Sequence, residues 1–119
     1  MKYLSWVKGN ADYGQPPQEL MDAIAQAGQE QFASGKMLDT GGLSTLREGG
    51  AKLTLTGGKI TDGPYSEAKE LVGGYAIQNH DSLDEAKAGA TWMLELHQQF
   101  WPEWEGEIEI RQMFSPTDF

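Results

Sequence analysis

The chain has 119 residues, 39% of them hydrophobic, enough for one domain with a real core and too few for two of ordinary size. A formal charge of -9, from 18 acidic and 9 basic residues with no basic cluster, repels phosphate backbones and anionic surfaces, so neither nucleic acid nor membrane is an expected partner. No cysteine is present, which excludes disulfides, thiolate nucleophiles and thiolate metal sites, and no apolar run approaches the roughly 18 residues needed to cross a membrane.

Lys2 to Lys8 alternates Leu4 and Trp6 on one side with Tyr3, Ser5 and Val7 on the other. Neither side is made for water, so this stretch reads as a central strand. The opening Met-Lys-Tyr-Leu-Ser-Trp-Val-Lys lacks the long apolar core of a signal peptide, and the cytoplasm is the expected compartment. After a polar loop, Pro16-Pro17 can open a helix, because the first turn does not need the missing amide hydrogens. That helix should run to about Ser34, with Leu20, Met21, Ile24, Ala27 and Phe32 as a loose apolar stripe and Gly35 as its cap. Met37 to Leu46 holds a weak strand broken at Thr40-Gly41-Gly42.

Lys52 to Thr56 alternates cleanly, Gly57-Gly58 supplies a two-residue turn, and Lys59-Ile60-Thr61 returns as the second arm of a hairpin. Asp62-Gly63-Pro64 ends that arm sharply, since Gly accepts dihedrals other residues avoid and Pro restricts the residue before it. A polar block follows, and then a strand from Leu71 to Asn79, where Gly73-Gly74 signals a bulge or a close approach. Ser82-Leu83-Asp84-Glu85 has capping-box spacing and starts a second helix with Leu83, Ala86, Ala90, Met93, Leu94 and His97 near one stripe, which Pro102 closes. Glu107 to Met113 alternates as a last strand, with Ile108 and Ile110 on one face and Glu107, Glu109 and Arg111 on the other.

The order strand, helix, strands, strand, helix, strand is that of an α+β domain of the ferredoxin-like split β-α-β plan with an added hairpin. Two helices cover one sheet face. A first strand that is apolar on both sides therefore needs a second cover, and another copy of the chain is the simplest provider.

The stretch Asp62-Gly63-Pro64-Tyr65, Glu67-Ala68-Lys69-Glu70, Leu71-Val72, Gly73-Gly74 and Tyr75 resembles the signature of the DGPF group of YCII-related proteins, with Tyr65 in place of Phe. The likeness extends weakly through Ser82 to Ala86 and on to Ile108 to Arg111. It implies a ferredoxin-like unit over residues 1–119 that dimerises into an α+β barrel, with a molecular function that is mostly uncharacterised. In some YCII-related proteins a His on the first helix and a following Asp are proposed as an active pair. This chain has no His before His80, so that chemistry does not transfer, and Asp39 or Asp62 would lack its partner.

Local motifs add little catalytic evidence. Ser66-Glu67-Ala68-Lys69 has the spacing of serine acyl-enzymes without their other elements and reads as solvated side chains. His80 and His97 are not spaced as a metal pair, and no cofactor is implied. His80 can meet Asp62 or Glu70 as an oriented base, but next to Asp81 it reads first as a surface residue. His97 reads as a residue near a helix end, favourable to its dipole when charged. Trp92, Phe100, Trp101 and Trp104 form an aromatic cluster suited to a core, a dimer surface or a pocket wall. The functional expectation is a small ligand bound at the dimer sheet and the Asp-Gly-Pro loop, with Asp62, Tyr65, Glu67, Lys69 and Arg111 as polar fixing groups. The alternative, also implied by the resemblance, is a non-catalytic interaction module linked to sigma-factor regulation of transcription.

Overall fold

The computed structural model describes residues 1–10, 13–46, 48–64 and 71–118. Along the chain run β1 (Lys2–Gly9), α1 (Gln18–Ser34), β2 (Met37–Gly42), β3 (Leu53–Thr56), β4 (Lys59–Asp62), β5 (Leu71–Asn79), α2 (Leu83–Phe100), β6 (Gly106–Met113) and a 3-10 turn at Pro116–Asp118. Four strands form an antiparallel sheet in the order β2-β5-β1-β6, and β3-β4 is a separate hairpin. The first strand is central, as its two-sided pattern requires.

Registry explains how the faces divide. Tyr3 pairs with Gln78, Ser5 with Ala76 and Val7 with Gly74 on one side of β1, and with Gln112, Ile110 and Ile108 on the other, so these residues share one face. Both helices lie over that face. Leu4, Trp6, Tyr75, Ile77, Glu109 and Arg111 share the opposite face, which no element of the described chain covers. Val7 opposes Gly74 while Lys8 opposes Val72, leaving Gly73 as the extra residue of a bulge. The glycine pair thus marks the break the sequence suggests.

The helices begin and end for local reasons. Leu20 and Met21 donate their amides to the Pro17 carbonyl, and Gly35 closes α1 in a left-handed conformation with its N–H on the Phe32 carbonyl. At α2, Ser82 Oγ accepts from the Glu85 amide at 3.1 Å, while the Glu85 carboxylate takes the amide of Asp81 at 2.7 Å. The reciprocal cap therefore reaches one residue further back than a standard capping box.

The hairpin stands apart. Gly57 and Gly58 both take positive φ, 58° and 76°, as its tight turn requires. Leu55 faces Ile60 across the pair, and Leu53, Leu55 and Ile60 are 71%, 70% and 75% exposed. A radius of gyration of 16.2 Å exceeds the value of about 13.5 Å expected for a compact chain of this length, consistent with a projecting arm.

Where the arm rejoins the chain, Gly63 is buried at φ 102°, donates its N–H to the Lys52 carbonyl at 2.6 Å and accepts from Thr54 Oγ1 at 2.7 Å. A β-branched residue there would be forced into a backbone region that only glycine tolerates well. Gly63→Val should lower stability by roughly 1 to 3 kcal/mol. Chemical denaturation tests this, and a variant unfolding at the parent midpoint would refute the strain argument.

Candidate functional site

Between the helices and the sheet lies a cavity of about 680 Å³, within the range of small-molecule sites. It exists because small residues face each other across the layers: Ser5, Gly74 and Ala76 on the sheet, Ala27 and Gly28 on α1, Gly89 and Ala90 on α2. Buried apolar side chains are correspondingly few among the described residues, namely Tyr3, Leu20, Ala86 and Trp101. Val7, Ile24, Met37, Met93, Ile108 and Ile110 supply apolar walls.

One end is aromatic. His97 is buried, and its Nδ1–H donates to the Met93 carbonyl one turn back at 2.8 Å, which fixes the ring. Its ring centre lies 4.4 Å from that of Trp104 and 6.5 Å from that of Trp101, and Tyr13 meets Trp101 edge-on at 6.1 Å. Gly106 makes this arrangement possible, because a Cβ there would run into the Trp104 ring and the Lys8 carbonyl. The aromatic cluster of the sequence is thus a cavity wall at Trp101 and Trp104, and His97 belongs to it rather than serving only the helix end.

The other end is polar. His80 is 5% exposed, not the surface residue its neighbour Asp81 suggests. Its amide donates to the Met1 carbonyl at 2.9 Å and its carbonyl accepts from the Met1 amino group at 3.0 Å, clamping the end of β5 to the start of β1. His80 Nε2 lies 3.4 Å from Gln78 Oε1, and Gln78 Nε2 donates to Gln31 Oε1 at 2.6 Å. Nδ1 has no hydrogen-bond partner and sits 3.6 Å from Glu85 Oε1. That same oxygen accepts from Lys36 Nζ at 2.7 Å. The Lys36 ammonium, followed by the Asp81 amide, holds the Glu85 carboxyl down from 4.5 to about 2.

Of the expected site residues, the structure describes Asp62 and Arg111. Asp62 ends β4 in the hairpin, and Arg111 lies on the open sheet face with Cζ 5.4 Å from the centre of the Trp6 ring. Neither lines the cavity. Tyr65, Glu67 and Lys69 lie outside the described residues, as does Glu70. On the same open face, Tyr75 donates its hydroxyl to Asp39 Oδ2 at 2.8 Å, and this bond to a carboxylate raises the phenol's pKa. Among the described residues no group of three or more acidic or histidine side chains is placed to hold a metal ion, and no helix is long and apolar enough to cross a membrane.

Two helices over one face of a four-stranded antiparallel sheet, with an open interior between the layers, define a small α+β protein of ferredoxin-like type. The chain belongs to the YCII-related family, whose domain model matches residues 1–92, from β1 into α2. No curated protein matches it.

The Glu85 pair carries a pH signature. A carboxyl whose folded pKa is depressed contributes stability that is fully present above its unfolded value and is lost as pH falls from 4.5 towards 2. Lys36→Met should reduce that acid-dependent loss. Urea midpoints of parent and variant measured across this interval check it, and parallel curves would show that Lys36 does not set the Glu85 titration.

Proposed function

We propose that the chain is a single-domain member of the DGPF group that forms a homodimer and binds a small, largely apolar molecule in the cavity between helices and sheet. The observation that carries the reading is the cavity itself, with apolar walls, an aromatic end and a polar end converging on one volume of about 680 Å³. A folded chain that leaves such a space gains stability from whatever fills it. At a ligand concentration one hundred times its dissociation constant, the gain is about 2.7 kcal/mol. Thermal-shift titration with small apolar compounds should raise the melting temperature of the parent, and Ala90→Phe, which places a ring in the space, should suppress the shift. Absence of any shift in the parent would overturn the reading.

Dimerisation follows from the uncovered face. Leu4, Trp6, Tyr75 and Ile77 present apolar surface on a sheet with no second layer, and pairing two such faces would close the sheets into an α+β barrel. The exposed hairpin residues Leu53, Leu55 and Ile60 add a second patch for the same partner copy. Light scattering at tens of micromolar should give a dimer mass for the parent and a monomer mass for Trp6→Glu. A monomeric parent would overturn the assembly.

Arg111 beside Trp6 favours a second reading, in which ligand contacts also form at the dimer sheet and the Asp-Gly-Pro loop through Asp62, Tyr65, Glu67, Lys69 and Arg111. There Lys69→Ala should weaken ligand binding while leaving the melting curve nearly unchanged, because isolated surface ion pairs contribute little to folding. Normal binding by that variant would remove Lys69 from the site. The rival reading, a non-catalytic module of transcriptional regulation, goes with a filled interior and an exposed apolar patch; the cavity supports the ligand reading, and the exposed Leu53, Leu55 and Ile60 support the rival.

A further inference from the structure

His80 occupies an unusual position. Its side chain is 3% exposed, and it forms part of the wall both of the inner cavity and of an outer cleft bounded by Met1, Lys36, Asp81 and Glu85. One ring nitrogen faces the Glu85 carboxylate and the other faces the amide of Gln78. A neutral imidazole carrying its proton on Nδ1 directs it at Glu85 and leaves Nε2 with a lone pair on the Gln78 side. An imidazolium directs one N–H at each neighbour. The Gln78–Gln31 pair suits both states, because the two amides can turn together. In one arrangement Gln78 Oε1 accepts from Nε2–H and its amide donates to Gln31; in the other Gln31 donates to Gln78 and Gln78 donates to the bare Nε2. A buried imidazole with a carboxylate 3.6 Å from Nδ1 and an amide that can turn to suit either state of Nε2 is placed for proton transfer.

The geometry points to His80 as a base at the polar end of the cavity, positioned by Glu85, that takes the proton of a weakly acidic hydroxyl on a small planar apolar ligand. The inference rests on the cavity being the ligand site. In the step, the ligand O–H bond breaks, the proton goes to His80 Nε2, and the electron pair stays on the ligand oxygen. The imidazolium so formed is balanced by Glu85, whose negative charge Lys36 helps to hold. The planar frame is suited to the rings of Trp101, Trp104 and His97 at the far end. Other groups facing His80 are the Tyr3 ring of β1, with centres 5.9 Å apart, Gln31 of α1 through Gln78, Asp81 beside it in the chain, and the Met1 amino group on its carbonyl.

Para-nitrophenol, whose colour reports its ionisation, and its non-ionisable methyl ether para-nitroanisole test the proposal with the intact protein. Nitrophenol bound to the parent should titrate lower than the free compound, with about a tenfold higher ratio of phenolate to phenol at pH values below its ordinary midpoint. His80→Gln should abolish that shift and Glu85→Gln should reduce it while both variants still bind nitroanisole, a selectivity that a merely structural role would not produce. Should nitroanisole bind while parent-bound nitrophenol titrates like the free compound or fails to bind, proton transfer is refuted and the cavity reading survives. Retention of the shift by His80→Gln also refutes it. If neither compound binds the parent, both readings fall. The parent titration decides even if a variant does not fold.

Discussion

Everything in this molecule depends on the alternation of side chains along β1. Because strand neighbours point to opposite faces, a shift of one residue would exchange Tyr3, Ser5 and Val7 for Leu4 and Trp6 and turn the cavity floor outwards. The register is held at both ends by features that tolerate no slippage. At one end Met1 is doubly bonded to His80; at the other, Gly9 pairs with Gly106, where the Trp104 ring leaves no room for a side chain. Between them the Gly73 bulge absorbs one residue and lets β5 continue beyond it without disturbing the pairing of Tyr3 to Val7.

The gap between the layers follows from side-chain volume. Interiors normally pack to the density of organic crystals, and a space of this size forfeits dispersion contacts on every wall. Here glycine, alanine and serine line the space from the sheet and from both helices, among larger residues such as Leu20, Met93 and the tryptophans. The thin core is the structural counterpart of the same choice, because the residues that would fill it are absent from the facing positions.

Much of the architecture was legible in the sequence because it rests on local rules. Period-two alternation marked β1 and β6, two glycines marked the hairpin turn, Gly35 and Ser82 marked helix ends, and Gly73-Gly74 marked the bulge. The site was far less legible. Its small residues are scattered over sheet and helices, and no local pattern shows that they face one another. Asp81 beside it marks His80 as exposed, whereas the fold ties its backbone to Met1 across 79 positions and sets its ring against Tyr3, Gln78 and Glu85. Gln78 gave a usable signal, a polar residue at an inward position of an otherwise apolar strand. Glu85 hid behind its capping role, which it does perform, while its other oxygen faces Lys36 and His80. The Asp-Gly-Pro stretch is the most conspicuous local pattern in the chain, yet in its described part Asp62 ends β4 and none of Asp62, Gly63 and Pro64 lines the cavity.

The two faces of the central sheet cannot be independent. β1 and β5 are only one residue thick, so the strand that carries Trp6 and Tyr75 outwards also carries Val7 and Ala76 into the cavity. On the outer side, Tyr75 lies against Gly41, where an added Cβ would meet its Cε1 at 3.1 Å, and is tied to Asp39; on the inner side of the same strand pair, Thr40 and Gly42 border the cavity. In the proposed dimer, a second copy on the outer face would restrict the strands that form the floor of the site, and a ligand would in turn restrict the surface the second copy meets. Linkage then requires the two equilibria to be coupled with the same free energy in both directions. Its sign depends on whether each event favours the same curvature of β5, and the bulge at Gly73 is the point at which that curvature can change with least loss of pairing. A sheet with a cavity on one side and an interface on the other is thus a physical route by which assembly and occupancy report on each other, without any further moving part.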